Sequence, residues 1–168
     1  MNANTPALGF SPKSPPYKYL IDSSSILAQK PTDALPRQVH KSLWEMIEKS
    51  IQEQAIATCS EIEEEVKNDN DVGNWLGSKQ CVILPIDDEV QRNVRRIVTE
   101  HPKMISFSGG KGSSSGDAFL IATAMKYNLT IITEENKDKQ NKIPNICKYY
   151  GIPTMSITEL CVAEGWVF

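Results

Sequence analysis

The block Asp117-Ala118-Phe119-Leu120-Ile121-Ala122-Thr123-Ala124-Met125 is followed closely by Leu129-Thr130-Ile131-Ile132-Thr133. This pair narrows the choice of fold more than any other part of the chain. The first block is an Ala-rich apolar helix and the second a strand without polar alternation, so neither has a face to give to water. A strand of that kind belongs inside a parallel sheet covered on both sides. The same alternation of types recurs upstream. Tyr19 to Ile21 is a short strand that stops at a polar loop, Asp22-Ser23-Ser24-Ser25. Val39, Leu43, Ile47 and Ile51, with Trp44 and Met46 beside them, have helical spacing. Gln54 to Thr58 is a second strand, and Ser60 with Glu63 matches a capping box opening a helix from Glu61 to Lys67. Cys81 to Ile86 is a third strand that Pro85 demotes to an edge, and Asp87 to Thr99 is a helix with Val90, Val94, Ile97 and Val98 inside. A Gly- and Ser-rich loop spans Ser106 to Gly116. After Thr133 come a Lys-rich loop through Lys142, a short helix ending at Gly151, a strand from Thr154 to Ile157 and a last helix running into Gly165-Trp166. The expectation is an α/β chain, a three-layer α/β/α sandwich around a central parallel sheet.

A length of 168 residues suits one domain that folds without disulfides or a structural metal. Met1 to Pro16, rich in Pro, Asn and Ser, reads as a flexible tail, which leaves 17–168 as the domain. Cys59, Cys81, Cys147 and Cys161 are far apart with no CxxC, so reduced, mostly buried thiols are expected rather than two disulfides or a zinc site. No apolar run reaches the ~20 residues of a membrane span, and the N-terminus has no signal-peptide pattern. The chain is expected to be cytoplasmic. Its 18 Lys and Arg against 21 Asp and Glu give a net charge of −3, which by itself argues against a nucleic-acid partner.

Charge placement points elsewhere. In open parallel sheets, ligands bind beyond the carboxyl ends of the strands, near the point where strand order reverses. Asp22 follows the first strand, Glu134 and Glu135 follow the LTIIT strand, and Asp117 opens the helix that feeds it. Glu65 flanks the buried seam of its helix, whereas Glu63 and Glu64 turn more to solvent. Each acid also has a plain reading: Asp22 as a loop cap, Asp117 as a helix-start carboxylate, Glu61 to Glu65 as a solvated charge run. Converging carboxylates raise each other's pKa, and a hard divalent cation such as Mg2+ or Mn2+ relieves that repulsion. Two such ions ~4 Å apart are suited to phosphodiester cleavage.

Four segments carry a resemblance to a known family: Tyr19-Leu20-Ile21-Asp22-Ser23-Ser24, Ile62 to Val66 (IEEEV), Gly116 to Ala124 (GDAFLIATA) and Ile131-Ile132-Thr133-Glu134-Glu135. The sequence resembles a PIN domain, the fold of many toxin ribonucleases, from Tyr17 to Phe168. DAFLIATA is the most specific piece. Lys142 to Cys147 and Gly165 to Phe168 further resemble a prokaryotic PIN subfamily known as a domain of unknown function. The resemblance implies a metal-dependent endoribonuclease with Asp22, Glu65 (or its neighbour Glu64), Asp117 and Glu135 as catalytic metal ligands. Ser24 and Thr133 would support them. Glu135 stands where the family commonly has an aspartate, one methylene shorter. With no Lys or His placed as general base, hydrolysis would rely on Mg2+ or Mn2+ and leave a 3′-hydroxyl and a 5′-phosphate. RNA as substrate, a protein antitoxin and a homodimer are implied in the same way.

Other chemistries fit less well. Gly110-Lys111-Gly112 lacks the spacing of a phosphate loop, Ser24 stands where a haloacid-dehalogenase phosphatase needs a second aspartate, and a receiver domain needs an acidic pair before Ser23. A PIN fold with a weakened metal site, acting as an RNA- or protein-binding scaffold, is the alternative. Substrate contacts are expected from Lys137, Lys139 and Lys142, next to Glu135, ahead of the arginine face of Arg92, Arg95 and Arg96. Trp75 and Trp166 are expected to pack in the interior rather than stack on bases. If four acids are offset by cations, the remaining surface carries about +1, and the low pI no longer opposes an RNA substrate.

Overall fold

In the computed structural model, which describes residues 16–104 and 115–168, five strands form one parallel sheet. They are β1 (Tyr19–Ile21), β2 (Ile56–Cys59), β3 (Val82–Leu84), β4 (Thr130–Ile132) and β5 (Thr154–Met155), in the order β3-β2-β1-β4-β5. The first strand is therefore central. Leu20 lies opposite Ala57 on one side and Ile131 on the other, and every residue of β1 and β2 is buried. This is why those strands show no polar alternation.

The helices are α1 (Ser23–Leu27), α2 (Lys41–Gln52), α3 (Ser60–Val66), α4 (Asn70–Ser78), α5 (Asp88–Glu100), α6 (Ser115–Tyr127), α7 (Ile143–Tyr150) and α8 (Ile157–Glu164), with a 3-10 turn at Pro102–Met104. The chain builds outward from β1 through β2 to β3, then crosses over to β4 and continues to β5. Right-handed crossovers running in opposite directions place their helices on opposite faces of a sheet. The result is the expected three-layer α/β/α sandwich. Its core joins the strands to Trp44, Ile47 and Ile51 of α2, Ile62 and Val66 of α3, and Leu120, Ile121 and Ala124 of α6.

Several local expectations need correction. Asp22 to Ser25 is not a loop: α1 starts at Ser23, and the Asp22 carboxylate accepts from the Ser23 N–H at 2.8 Å while Ser25 and Ile26 are buried. The second strand begins at Ile56 rather than Gln54, whose φ of 65° makes the turn out of α2. The capping box at Ser60 does not form. β2 runs directly into α3, leaving Cys59 as a cap without a side-chain bond. The box occurs instead at Ser156 and Glu159, so β5 stops at Met155 short of Ile157. A further helix, α4, lies between α3 and β3: Asp69 caps it through the Val72 N–H at 3.0 Å, and Val72, Trp75 and Leu76 form its buried side.

Other expectations hold. The strand at 82–84 is an edge. Gly151, at φ 70°, closes α7 in the left-handed conformation that favours glycine. All four cysteines are free thiols. The loop 106–116 lies outside the described residues up to 114, with Ser115 and Gly116 already in α6, and the tail lies outside them up to residue 15. No described helix is long and apolar enough to cross a membrane.

Candidate active site

Strand order reverses between β1 and β4, and Asp22 stands at the carboxyl end of β1 in that gap. Its backbone N–H donates to the Ile132 carbonyl at 2.9 Å, continuing the β1–β4 ladder one step beyond the strand. The side chain is buried, with 1% of its surface exposed. Oδ1 accepts from the Ser23 N–H, and Oδ2 accepts from Ser24 Oγ at 2.7 Å and Thr133 Oγ1 at 2.8 Å. The two hydroxyls approach each other to 3.2 Å, but each uses its single proton on Asp22, so that approach is a contact and not a further bond. Their oxygens in turn accept backbone N–H groups: Ser24 Oγ from Glu134 at 3.0 Å and Thr133 Oγ1 from Glu135 at 3.1 Å. Ser24 and Thr133 thereby lock the turn after β4 onto the end of β1. Thr58 adds a bond that the sequence did not advertise, donating from Oγ1 to the Ile21 carbonyl at 2.9 Å.

Despite its donors, the Asp22 carboxyl is pushed up to about 6, first by burial and then by the charge of Glu135. Asp117, buried in the first turn of α6, is pushed up to about 8 by burial and by the charges of Glu135, Asp22 and Glu65, while Lys142 pulls the other way. The charges of Glu135, Asp22 and Glu65 therefore all bear on Asp117, and that of Glu135 bears on Asp22 as well. Glu65 is half-buried and its charge reaches Asp117, whereas Glu64 is exposed and bound to Lys67 at 2.9 Å. Glu135 Oε2 accepts from the Ile143 N–H at 2.9 Å, at the start of α7. Glu134 does the same for α8, with Oε1 accepting from the Ile157 N–H at 2.7 Å. Two successive glutamates thus cap two successive helices, a role not evident before the helices were placed. Cys147 is buried near the same acids, and burial together with their charges pushes its thiol up, which disfavours the thiolate.

Among the described residues, no group of three or more His, Cys, Asp or Glu side chains stands ready to hold a metal ion. The chemistry of the donors nevertheless suits a hard cation. All four are carboxylates, and the raised Asp22 and Asp117 are groups whose charged form a cation stabilises.

The proposed substrate contacts separate in the structure. Lys142 is half-buried and its charge bears on Asp117. Lys137 is exposed and paired with Glu159 at 2.6 Å, and Lys139 is exposed. Asn145 fixes this loop, donating from Nδ2 to the carbonyls of Lys137 and Lys139 at 2.7 and 2.8 Å. Arg92, Arg95 and Arg96 are exposed on α5. Trp75 is buried edge-on against Trp44, while Trp166 is half-buried.

Strand order and parallel pairing give the three-layer α/β/α fold that the sequence motifs implied. The chain belongs to the family described as Domain of unknown function (DUF4411), whose model matches residues 19–168. No curated protein matches the sequence. Among solved structures, PAE2754 from Pyrobaculum aerophilum is similar with a TM-score of 0.54 at 15% identity, over 88% of this chain and 89% of that one. FitAB bound to an IR36 DNA fragment is similar with a TM-score of 0.51 at 16% identity, over 83% and 94%. VapBC2 from Rickettsia felis, bound to a DNA fragment from their promoter, gives 0.50 at 15% identity, over 82% and 97%. At these identities the likeness establishes the fold.

Proposed function

We propose that this chain is a metal-dependent endoribonuclease, the toxin of a toxin–antitoxin pair. The observation that carries the reading is the pair of buried acids from distant segments, Asp22 at the switch point and Asp117 within reach of its charge, each raised first by burial and then by carboxylate charge. Burying like charges costs stability unless protons or cations offset them, so a fold under selection for stability alone has no use for the arrangement. Asp22, Glu65, Asp117 and Glu135 would hold Mg2+ or Mn2+. A bound divalent cation would supply Lewis acidity toward water and the phosphodiester. The chain's own contribution is positioning. Ser24 and Thr133 fix the Asp22 carboxylate, and Glu135 ties the site to α7. The products would be a 3′-hydroxyl and a 5′-phosphate. The similar FitAB and VapBC2 structures, both bound to DNA, support an inhibitory protein partner in a two-protein system. A homodimer and a cytoplasmic location belong to the same reading.

The test is incubation of the purified chain with a panel of structured RNAs in Mn2+, beside EDTA and the variants Asp22→Asn and Asp117→Asn. Cleavage should occur in Mn2+ and vanish in all three controls; cleavage that survives them overturns the metal mechanism. The scaffold alternative draws support from the bond that commits Glu135 Oε2 to α7. It predicts no cleavage of any RNA and partner binding indifferent to Mg2+.

A further inference from the structure

The proposed nuclease needs a surface that holds RNA, and α7 offers one. It leaves the carboxyl edge of the sheet, where Glu135 caps it, and runs to the opposite edge, where Tyr149 and Tyr150 end it. A groove of about 640 Å3 lies along it, lined at one end by Lys137, midway by Asn145 and Lys148, and at the other end by Gly151 to Thr154. Lys137 and Lys148 are both exposed. The Lys137–Glu159 pair is also exposed, and pairs of that kind contribute little.

Beside Lys148, Tyr149 is 63% exposed yet held firmly. The rings of His101 and Tyr150 stand nearly perpendicular to it at centroid distances of 4.8 and 4.9 Å, and its hydroxyl donates to Glu100 Oε2 at 3.1 Å. The Arg96 guanidinium binds the same glutamate through Nε at 2.8 Å and lies 5.2 Å from the Tyr150 ring centroid. Glu100 is thus engaged by one cation and two hydroxyls, while α5 presents Arg92, Arg95 and Arg96 to solvent. An exposed ring already fixed in place loses little conformational freedom when a flat partner stacks on it. An aromatic face rimmed by cations is the combination that binds single strands regardless of sequence.

We propose that the surface along α7, from Lys137 in the loop before it to Tyr149 in its last turn, is the track for single-stranded RNA, with phosphates along the Lys137–Lys148 groove and a base stacked on the Tyr149 ring. The proposal rests on the ribonuclease reading for its substrate class, and its test is independent of cleavage. Binding of a fluorescein-labelled single-stranded RNA to the full chain is followed by anisotropy in EDTA. Tyr149→Ala should weaken binding at least roughly fivefold. Tyr149→Phe, which keeps the ring, should bind like the unaltered chain. Lys148→Ala should lower the slope of log K against log salt by about 0.7, and as an exposed helix position it keeps the test open if Tyr149→Ala does not fold. Wild-type affinity in Tyr149→Ala, or an unchanged salt slope in Lys148→Ala, overturns the track. Absence of any RNA binding overturns it too. Tyr149-dependent binding without cleavage in Mn2+ sinks the nuclease reading and leaves the track standing; cleavage with Tyr149-independent binding does the reverse.

Discussion

Asp22, Asp69 and Asp87 do the same local job and meet opposite fates. Each precedes a helix and accepts a backbone N–H of its first turn: Ser23 at 2.8 Å, Val72 at 3.0 Å and Val90 at 2.9 Å. Asp69 and Asp87 are partly exposed. The bond from Val72, with Lys30 behind it, holds the Asp69 carboxyl below the usual range, and the bond from Lys126, with that from Val90, does so for Asp87. Asp22 accepts more hydrogen bonds than either and is nevertheless pushed upward. Burial and the Glu135 charge outweigh its donors. A capping aspartate is therefore a structural device at the surface and becomes a candidate ligand when the sheet buries it beside other acids.

The sharpest way to break that contrast is Asp117→Asn. It should reduce RNA cleavage more than ~100-fold, because loss of a ligand exceeds the 10–100-fold typical of the groups supporting one. In EDTA the same change should raise the melting temperature at pH 8, since a neutral amide no longer repels Asp22 and Glu135. A drop in melting temperature would show that the carboxylate stabilises the fold and would remove the basis for a cation site.

Next in size is the effect of the cation. Saturation at about a hundred times its Kd should stabilise the chain by ~2.7 kcal/mol, a shift of roughly 5–10 °C for a domain of this length. The shift should be larger at pH 8 than at pH 5. Without a cation, Asp22 and Asp117 sit higher in the folded chain than in the unfolded one, so folding takes up protons. Their contribution is fully present below pH ~4 and is lost as pH rises through about 6 and about 8. Asp69 and Asp87 work in the other direction, contributing above the usual carboxylate range and losing that contribution as pH falls. Melting curves in EDTA between pH 4 and 9 separate the two groups. A stability that climbs steadily to pH 8 would contradict the buried pair.

Thr133→Val removes one of the hydroxyls on Asp22 Oδ2 and should cost ~10–100-fold in activity or cation affinity. Wild-type cation affinity by calorimetry would deny Thr133 a positioning role. The smallest effect belongs to the surface: Asp69→Ala should lower the melting temperature by roughly 2–4 °C and leave cleavage unchanged.

The parallel sheet was legible because β1, β2 and β4 are buried on both faces and show no alternation, and the run DAFLIATA could only be a covered helix. Helix ends were harder to read. Ser60 with Glu63 has the composition of a capping box, but β2 pairs with β3 as far as Cys59 and leaves no separate cap, while Ser156 with Glu159 forms one. Helix α4 has a weak sequence signal because only Val72, Trp75 and Leu76 mark it among polar residues and glycines.

At the site, Asp22, Asp117 and Glu135 could be singled out from their places after strands and before a helix. The capping bonds of Glu134 and Glu135 could not, because their partners at Ile157 and Ile143 are set by where α7 and α8 begin in space. The track along α7 was likewise hidden: Tyr149 meets Glu100 and His101 at the end of α5, some fifty residues earlier in the chain.

The sequence by itself determined the class of fold, since short apolar runs that cannot face water leave few structures besides a covered parallel sheet. It also placed acids at strand ends. Only the tertiary structure decided which of them lose water and meet one another. That loss of water and the nearby like charges separate Asp22 from Asp69 and Asp87, which the local sequence presents as the same residue in the same role.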